Sequence, residues 1–354
     1  MTGLLPSVSA CGDVLLDVCE LTTRFSNRGV SFPAVDHVSF TLKRGEILGL
    51  VGESGSGKSV TGFSIMGLVD PPGKVAGGKI LFKGRDLLTM REKEMRSLRG
   101  NKIAMIFQDP MMTLDPVMRI EKQMTEAIFA HSKVGRKQAW QWARDTLGLV
   151  GIPSPEERLK AYPHQLSGGM RQRVAIAIAL LHKPELIIAD EPTTALDVTI
   201  QSQILSEIQK LATHYGMSLI WISHDLSVVA GLTDKIAVMY AGRIVEQGSV
   251  SNVLDHPQHP YTSGLINSLP SHNARGHHLA QIPGMTPSLA NLPEGCAFFD
   301  RCQRASAQCQ QAKPELTQQG PDQWVRCYHP TDDLVAHKTM TDHAVAGREL
   351  LPNV

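Results

Sequence analysis

The segment Gly52-Glu53-Ser54-Gly55-Ser56-Gly57-Lys58-Ser59 constrains this chain more than any other stretch. It fits G-x-x-x-x-G-K-[ST], follows the apolar run Ile47-Leu48-Gly49-Leu50-Val51, and opens a helical pattern at Val60. Strand, glycine-rich loop and helix in that order form the context in which such a loop cradles phosphate. The glycines let successive N–H groups turn inward and form an anion nest at a helix N-terminus. Lys58 can then reach β- and γ-phosphates, and the Ser59 hydroxyl can ligate Mg²⁺. A chance glycine-rich turn is the plain alternative, and the flanking strand and helix argue against it.

Three further apolar runs stop abruptly at polar residues. Ile103 to Phe107 ends at Gln108-Asp109-Pro110, Leu186 to Ala189 at Asp190-Glu191, and Leu219 to Ile222 at Ser223-His224. From about residue 14 to 250 such runs alternate with helical patterns, which predicts an α/β domain with a mainly parallel sheet. Ligands of open α/β sheets sit beyond the carboxyl ends of the strands, so four strands aim polar residues at one crevice. Residues from about 117 to 182 carry helical patterns without strong strands and predict an inserted helical subdomain. After about residue 262 the chain turns rich in Pro, Gln and His, marking a C-terminal appendage, and from about Asp332 no period remains, as in a flexible tail.

The polar strand ends are the candidate chemistry. Adjacent carboxylates are costly to desolvate without a partner. Mg²⁺ suits Asp190, while Glu191 can polarise an attacking water, a role worth roughly 10²–10⁴ in rate; a solvated strand end before Pro192 is the bland reading. Gln108 can touch Mg²⁺ or the water, and His224 can contact the γ-phosphate, although either taken alone reads as an ordinary surface or structural residue. In Leu166-Ser167-Gly168-Gly169-Met170-Arg171-Gln172-Arg173, Ser167 reads as an N-cap and the glycines open a second helix N-terminus to an anion.

Composition narrows the remaining classes. The chain has 354 residues with a net charge of +1, which disfavours a polyanion such as nucleic acid as partner. Hydrophobic residues make up 42%, enough for a large core, and no apolar run approaches the roughly 18–20 residues of a membrane span. Val8-Ser9-Ala10-Cys11 resembles a lipoprotein cleavage site but lacks the preceding basic and apolar regions, so residues 1–13 read as a loose tail. Without an export signal the six cysteines belong in a reducing compartment, where clustered thiols read as metal ligands before disulfides.

The loop at 52–59, Gln108, Leu166-Ser167-Gly168-Gly169, Asp190-Glu191, Ala195-Leu196-Asp197 and His224 occur in the order of the motif set of ABC-type ATPases, which the chain resembles over about residues 14–260. That resemblance implies a RecA-like core with an N-terminal antiparallel β-subdomain, ATP and Mg²⁺ as ligands, and a head-to-tail dimer. In it Ser167, Gly168, Gly169 and Gln172 of one subunit face ATP held by the partner, and Asp197 lies in the D-loop. Ser59, Gln108 and Asp190 hold Mg²⁺, Glu191 activates water, and Phe25, with Phe32 as competitor, falls where the family stacks an aromatic residue on adenine.

A narrower resemblance is to the ATP-binding subunits of peptide/nickel importers, closest to dipeptide and oligopeptide permease ATPases. It rests on Phe107-Gln108-Asp109-Pro110, Tyr162-Pro163-His164-Gln165-Leu166, Met239-Tyr240-Ala241-Gly242 and His256 to Thr262. It implies a peripheral subunit on the cytoplasmic face of the bacterial inner membrane. Its partners there are a second ATPase subunit (a paralogue or itself), two transmembrane permeases contacted by the loop after Gln108, and an exported solute-binding protein. Residues 263–331 carry Cys296, Cys302, Cys309 and Cys327, spaced C-x5-C-x6-C-x17-C. By spacing, an iron–sulfur cluster, zinc and unliganded thiols all stay open, with His329 as an alternative ligand; the resemblance points to a 4Fe–4S cluster that staples a core-poor extension. Two other readings are a soluble ABC ATPase acting on DNA or ribosomes, and an extension serving as a metal-regulated interaction module. The chain has no heptad tract and one phosphate-binding loop, which disfavours the former.

Overall fold

The computed structural model describes residues 13–27, 29–193, 198–269, 273 and 280–331. Residues 1–12 of the expected tail at 1–13, the expected tail at 332–354, the D-loop residue Asp197 and Cys11 lie outside them.

In chain order the elements begin with β1 (Val14–Asn27), β2 (Val30–Lys43), β3 (Ile47–Val51), α1 (Lys58–Met66), β4 (Gly73–Phe82), β5 (Arg85–Asp86), α2 (Glu92–Leu98) and β6 (Ile103–Ile106). The helices α3 (Ile120–His131), α4 (Arg136–Leu149), α5 (Pro155–Leu159) and α6 (Gly168–Leu180) follow, with no strand among them. Then come β7 (Leu186–Asp190), α7 (Val198–Tyr215), β8 (Ser218–Ser223), α8 (Leu226–Ala230), β9 (Lys235–Tyr240), β10 (Arg243–Ser249), α9 (Val250–Asp255) and α10 (Pro260–Asn267). The last described elements are α11 (Ala307–Gln311), β11 (Thr317–Gly320) and β12 (Gln323–Val325).

Two sheets form among the described residues. The first runs β2-β1-β4-β5 and is antiparallel. The second runs β11-β12-β10-β9-β3-β8-β7-β6. Its β9-β3-β8-β7-β6 part is parallel. The strands β3, β7 and β8 are buried at every position, as strands covered on both faces must be, which explains why they read as unbroken apolar runs. Parallel registry of Val51 with Ser223 and of Asp190 with Ile222 brings the carboxyl ends of β3, β7 and β8 to one rim.

The C-terminal region departs from the expectation of a core-poor appendage. The β11-β12 hairpin pairs antiparallel with β10 and so continues the main sheet. Phe298 is 4% exposed and belongs to the main core. Its ring lies 5.2 Å from that of Tyr240 and 5.5 Å from that of Tyr261, which themselves stand 4.6 Å apart. Each such buried aromatic is worth roughly 1.5–3 kcal/mol in burial alone. The fully buried Glu246 of β10 completes the seam. It accepts hydrogen bonds from the backbone N–H groups of Gln258 (2.8 Å) and His259 (2.9 Å) and from Gln323 Nε2 of β12 (2.9 Å). A buried carboxylate needs such donors, and here the C-terminal strand supplies one.

Candidate nucleotide site

The loop between β3 and α1 turns because glycine takes conformations other residues rarely reach. Gly52 has φ 153° and Gly57 φ 102°. A Cβ on Gly52 would lie 2.2 Å from the Met239 carbonyl oxygen, and one on Gly57 2.4 Å from that of Ala34. The loop is thus wedged against neighbouring backbone, and only glycine fits. Ser54 and Gly55 are exposed, Ser56, Gly57 and Lys58 buried, and Ser59 and Val60 half-buried. Lys58 Nζ donates to the carbonyls of Gly52 (2.8 Å) and Glu53 (3.0 Å). Burial holds the Lys58 ammonium below the ordinary lysine range. The Ser56 hydroxyl is buried with no partner among the described residues.

Across the rim, Ser59 Oγ donates to Asp190 Oδ1 at 2.9 Å. Burial pushes the Asp190 carboxyl up, against the hydrogen bond from Ser59. Glu191 Oε2 lies 3.1 Å from His224 Nδ1 and 3.5 Å from Gln108 Nε2. The Glu191 backbone sits in the left-handed region at φ 44°, and its N–H donates to the Ile222 carbonyl (3.0 Å). A non-glycine residue held there stores roughly 1–3 kcal/mol, which the neighbouring strand must maintain. The fold therefore gathers Lys58, Ser59, Gln108, Asp190, Glu191 and His224 from four chain segments. A buried ammonium, an unpartnered hydroxyl and a backbone nest fit polyphosphate, and Ser59 with Asp190 offers hard oxygen donors to Mg²⁺.

The other expected residues fall elsewhere. Phe25 pairs with Phe32 across β1 and β2, and its ring covers Gly73 of β4. Ser167 caps α6, its hydroxyl accepting from the Met170 N–H at 3.3 Å, and Ser167 and Gly168 are exposed. Gln172 is only 2% exposed.

Sequence reading missed the grip on Glu53. Arg301, 7% exposed, donates from Nη1 to Glu53 Oε2 (2.7 Å) and from Nη2 to Oε1 (2.9 Å). Thr286 donates its hydroxyl to the same carboxylate, and the Glu53 N–H donates to the Tyr261 hydroxyl at 2.8 Å. The Arg301 hydrogen bonds hold the Glu53 carboxyl below the usual range. The partners lie more than 200 residues apart, so no local pattern announces the contact.

The iron–sulfur and zinc expectation is corrected. Cys296, Cys302, Cys309 and Cys327 line one small cavity with Phe298 and Phe299. Among the described residues, however, no group of three or more His, Cys, Asp or Glu side chains is arranged to hold a metal ion. Burial raises the thiols of Cys296 and Cys302 and lifts that of Cys327 to about 11. His329 is turned to Ser306, its Nε2 2.7 Å from the hydroxyl.

Comparison with known proteins finds relatives across most of the chain. A family described as ABC transporter matches residues 35–194, and one described as Oligopeptide/dipeptide transporter, C-terminal region, matches residues 245–309. The Escherichia coli oligopeptide transport ATP-binding protein OppD is 44% identical over 94% of this chain and 98% of its own length. The E. coli dipeptide transport ATP-binding protein DppD is 46% identical over 90% of this chain and 98% of its own. Among solved structures, the dimeric post-hydrolysis ATP-binding cassette MJ0796 bound to ADP and phosphate matches with TM-score 0.61 at 26% identity, covering 66% of this chain and 98% of its own.

Proposed function

We propose that this chain, which belongs to the ABC transporter family, is the ATP-binding and ATP-hydrolysing subunit that energises a multi-subunit importer of di- and oligopeptides. The observation that carries the reading is the Ser59–Asp190 and Glu191–His224 pairing at the rim of a phosphate-binding loop.

In this reading residues 52–60 bind the phosphates of ATP and Phe25 packs on adenine. Lys58 leaves the Gly52 and Glu53 carbonyls and turns its ammonium to the phosphate oxygens. Mg²⁺, held by Ser59, Asp190 and Gln108 when bound, neutralises charge developing on those oxygens. Glu191 takes the proton of the attacking water. His224 and Gln108, already beside its carboxylate, fix its direction, and the nest and Lys58 stabilise charge on the transferred group. Ser167 and Gly168, exposed at the N-terminus of α6, and the half-buried Gly169 suit the role of covering ATP on a partner ATPase, a paralogue or a second copy. Gln172 would join them only through a shift of α6, since it is buried.

Residues 14–262 act as the ATPase unit, with a helical part at about 117–182, and residues 263–331 as its cysteine-bearing extension. The loop after Gln108 is the surface for two permease subunits. Met112 is 68% exposed and Val117 83% exposed there, apolar groups placed to be covered by another chain. No described helix is long and apolar enough to cross a membrane. The proposed location is peripheral, at the cytoplasmic face of the inner membrane beneath the permeases, which an exported binding protein supplies.

The test is uptake in the native cell. The gene is deleted and restored as wild type or Glu191→Gln, and labelled dipeptide, a longer peptide and nickel are followed. Peptide uptake that needs the wild-type chain supports the reading. Uptake of nickel alone would move the substrate class, and no response with any solute would remove the importer assignment.

A further inference from the structure

The phosphate-binding loop is held by residues at the end of the ATPase unit and in the extension that follows it. Glu53, second in the loop, is gripped at its carboxylate by both Arg301 terminal nitrogens and by the Thr286 hydroxyl, and at its backbone N–H by the Tyr261 hydroxyl. Arg301 is itself anchored, with Nε donating to the Pro283 carbonyl at 2.8 Å and Nη1 to the Tyr240 hydroxyl at 3.3 Å. All three gripping residues come from residues 261–301, and none of them belongs to the loop, the strand before it or the helix after it.

The grip has a direct line to the chemistry. The carbonyl of the same Glu53 accepts a hydrogen bond from Lys58 Nζ. With side chain and N–H both fixed, the Glu53 peptide cannot swing, and the loop entrance is set before nucleotide arrives. Fixing a residue's backbone costs conformational entropy, and a loop already fixed does not meet that cost on binding.

We infer that Arg301 and Tyr261 are positioning residues for nucleotide binding: through Glu53 they preorganise the phosphate-binding loop, so that the C-terminal region governs ATP affinity. The inference rests on the loop being the phosphate cradle. Neither residue touches the phosphates; both act through Glu53. Because the grip reaches the loop entrance and stops short of Glu191, its loss shows in affinity before it shows in turnover.

The experiment measures binding of a fluorescent ATP analogue and steady-state ATPase kinetics on the full chain carrying Arg301→Ala, Tyr261→Phe, Glu53→Ala and the Glu53→Ala/Arg301→Ala pair, with thermal unfolding of each. The expected result is a Kd and KM raised about tenfold in Arg301→Ala, which corresponds to about 1.4 kcal/mol, with kcat reduced much less. Adding Arg301→Ala to Glu53→Ala should change affinity no further. An Arg301→Lys variant, one donor short of the fork, should recover part of the affinity. Tyr261→Phe, which keeps the ring and loses one acceptor, serves where Arg301→Ala does not fold. Unchanged affinity in both Arg301→Ala and Tyr261→Phe, or fully additive effects in the pair, would overturn the inference. Lys58→Ala is measured alongside: if it too leaves affinity unchanged, the phosphate-cradle reading itself fails.

Discussion

Ser59 Oγ and Asp190 Oδ1 are joined by a 2.9 Å hydrogen bond across 131 positions of sequence, linking the first turn of α1 to the end of β7. The bond sets the spacing of two oxygen donors before any cation arrives. Replacing Ser59 by Ala should raise the Mg²⁺ concentration that ATP hydrolysis requires while leaving the fold intact, because Ser59 is half-buried and its loss opens no cavity. A magnesium titration of ATPase activity, compared with wild type, checks this; an unshifted midpoint would count against Asp190 and Ser59 as the metal pair.

Glu191→Gln should retain ATP binding and lose hydrolysis by roughly 10²–10⁴. The amide keeps the volume and a contact to His224 but accepts no proton. Steady-state hydrolysis at the wild-type rate would remove Glu191 from its role.

Gly57→Ala should be damaging for a reason independent of charge. Its φ of 102° strains any residue with a Cβ, and that atom would meet the Ala34 carbonyl at 2.4 Å. The strain alone costs about 1–3 kcal/mol, and the clash adds to it. Urea unfolding together with nucleotide binding should show both reduced.

Stability should fall with acid between pH 6.5 and 3 through His259. The residue is 2% exposed, its Nδ1 accepts the Tyr261 N–H at 3.0 Å, and burial pushes its pKa down from 6.5 to about 3. Above 6.5 neither folded nor unfolded chain holds the proton. Between the two values only the unfolded chain does, so stability is lost as pH falls, by up to about 1.4 kcal/mol per unit. His259→Asn preserves an acceptor for the cap, and its unfolding free energy should vary less with pH across this window.

Glu246→Ala should destabilise by about 3 kcal/mol or more, since it strands buried donors from Gln258, His259 and Gln323. Glu246→Gln, which keeps an acceptor oxygen, should cost less in chemical denaturation.

The residues that gather at the rim were legible in the sequence wherever they lie next to a strand end. Asp190, Glu191 and His224 could be found because a buried parallel strand is an unbroken apolar run, so its first polar residue marks the rim. The partnership of Glu53 with Arg301 was not legible, because it joins residues 248 apart through tertiary packing alone. The hairpin escaped for a related reason. β11 reads Thr-Gln-Gln-Gly, polar and largely exposed, and β12 spans three residues, so neither carries the apolar alternation that betrays a strand. The cysteines misled because spacing counts thiols but not whether the fold arranges them to hold a metal ion.

The β11-β12 hairpin also decides what a shortened form of this chain could be. A sheet whose outermost strand ends in open N–H and C=O groups is a template for joining other sheets. Here β12 covers the outer edge of β10, and the border passes to a four-residue polar strand that offers little to stack upon. A truncation after α10 would expose the flank of β10 and leave Glu246 without Gln323. Such a fragment should self-associate and precipitate rather than survive as a minimal ATPase.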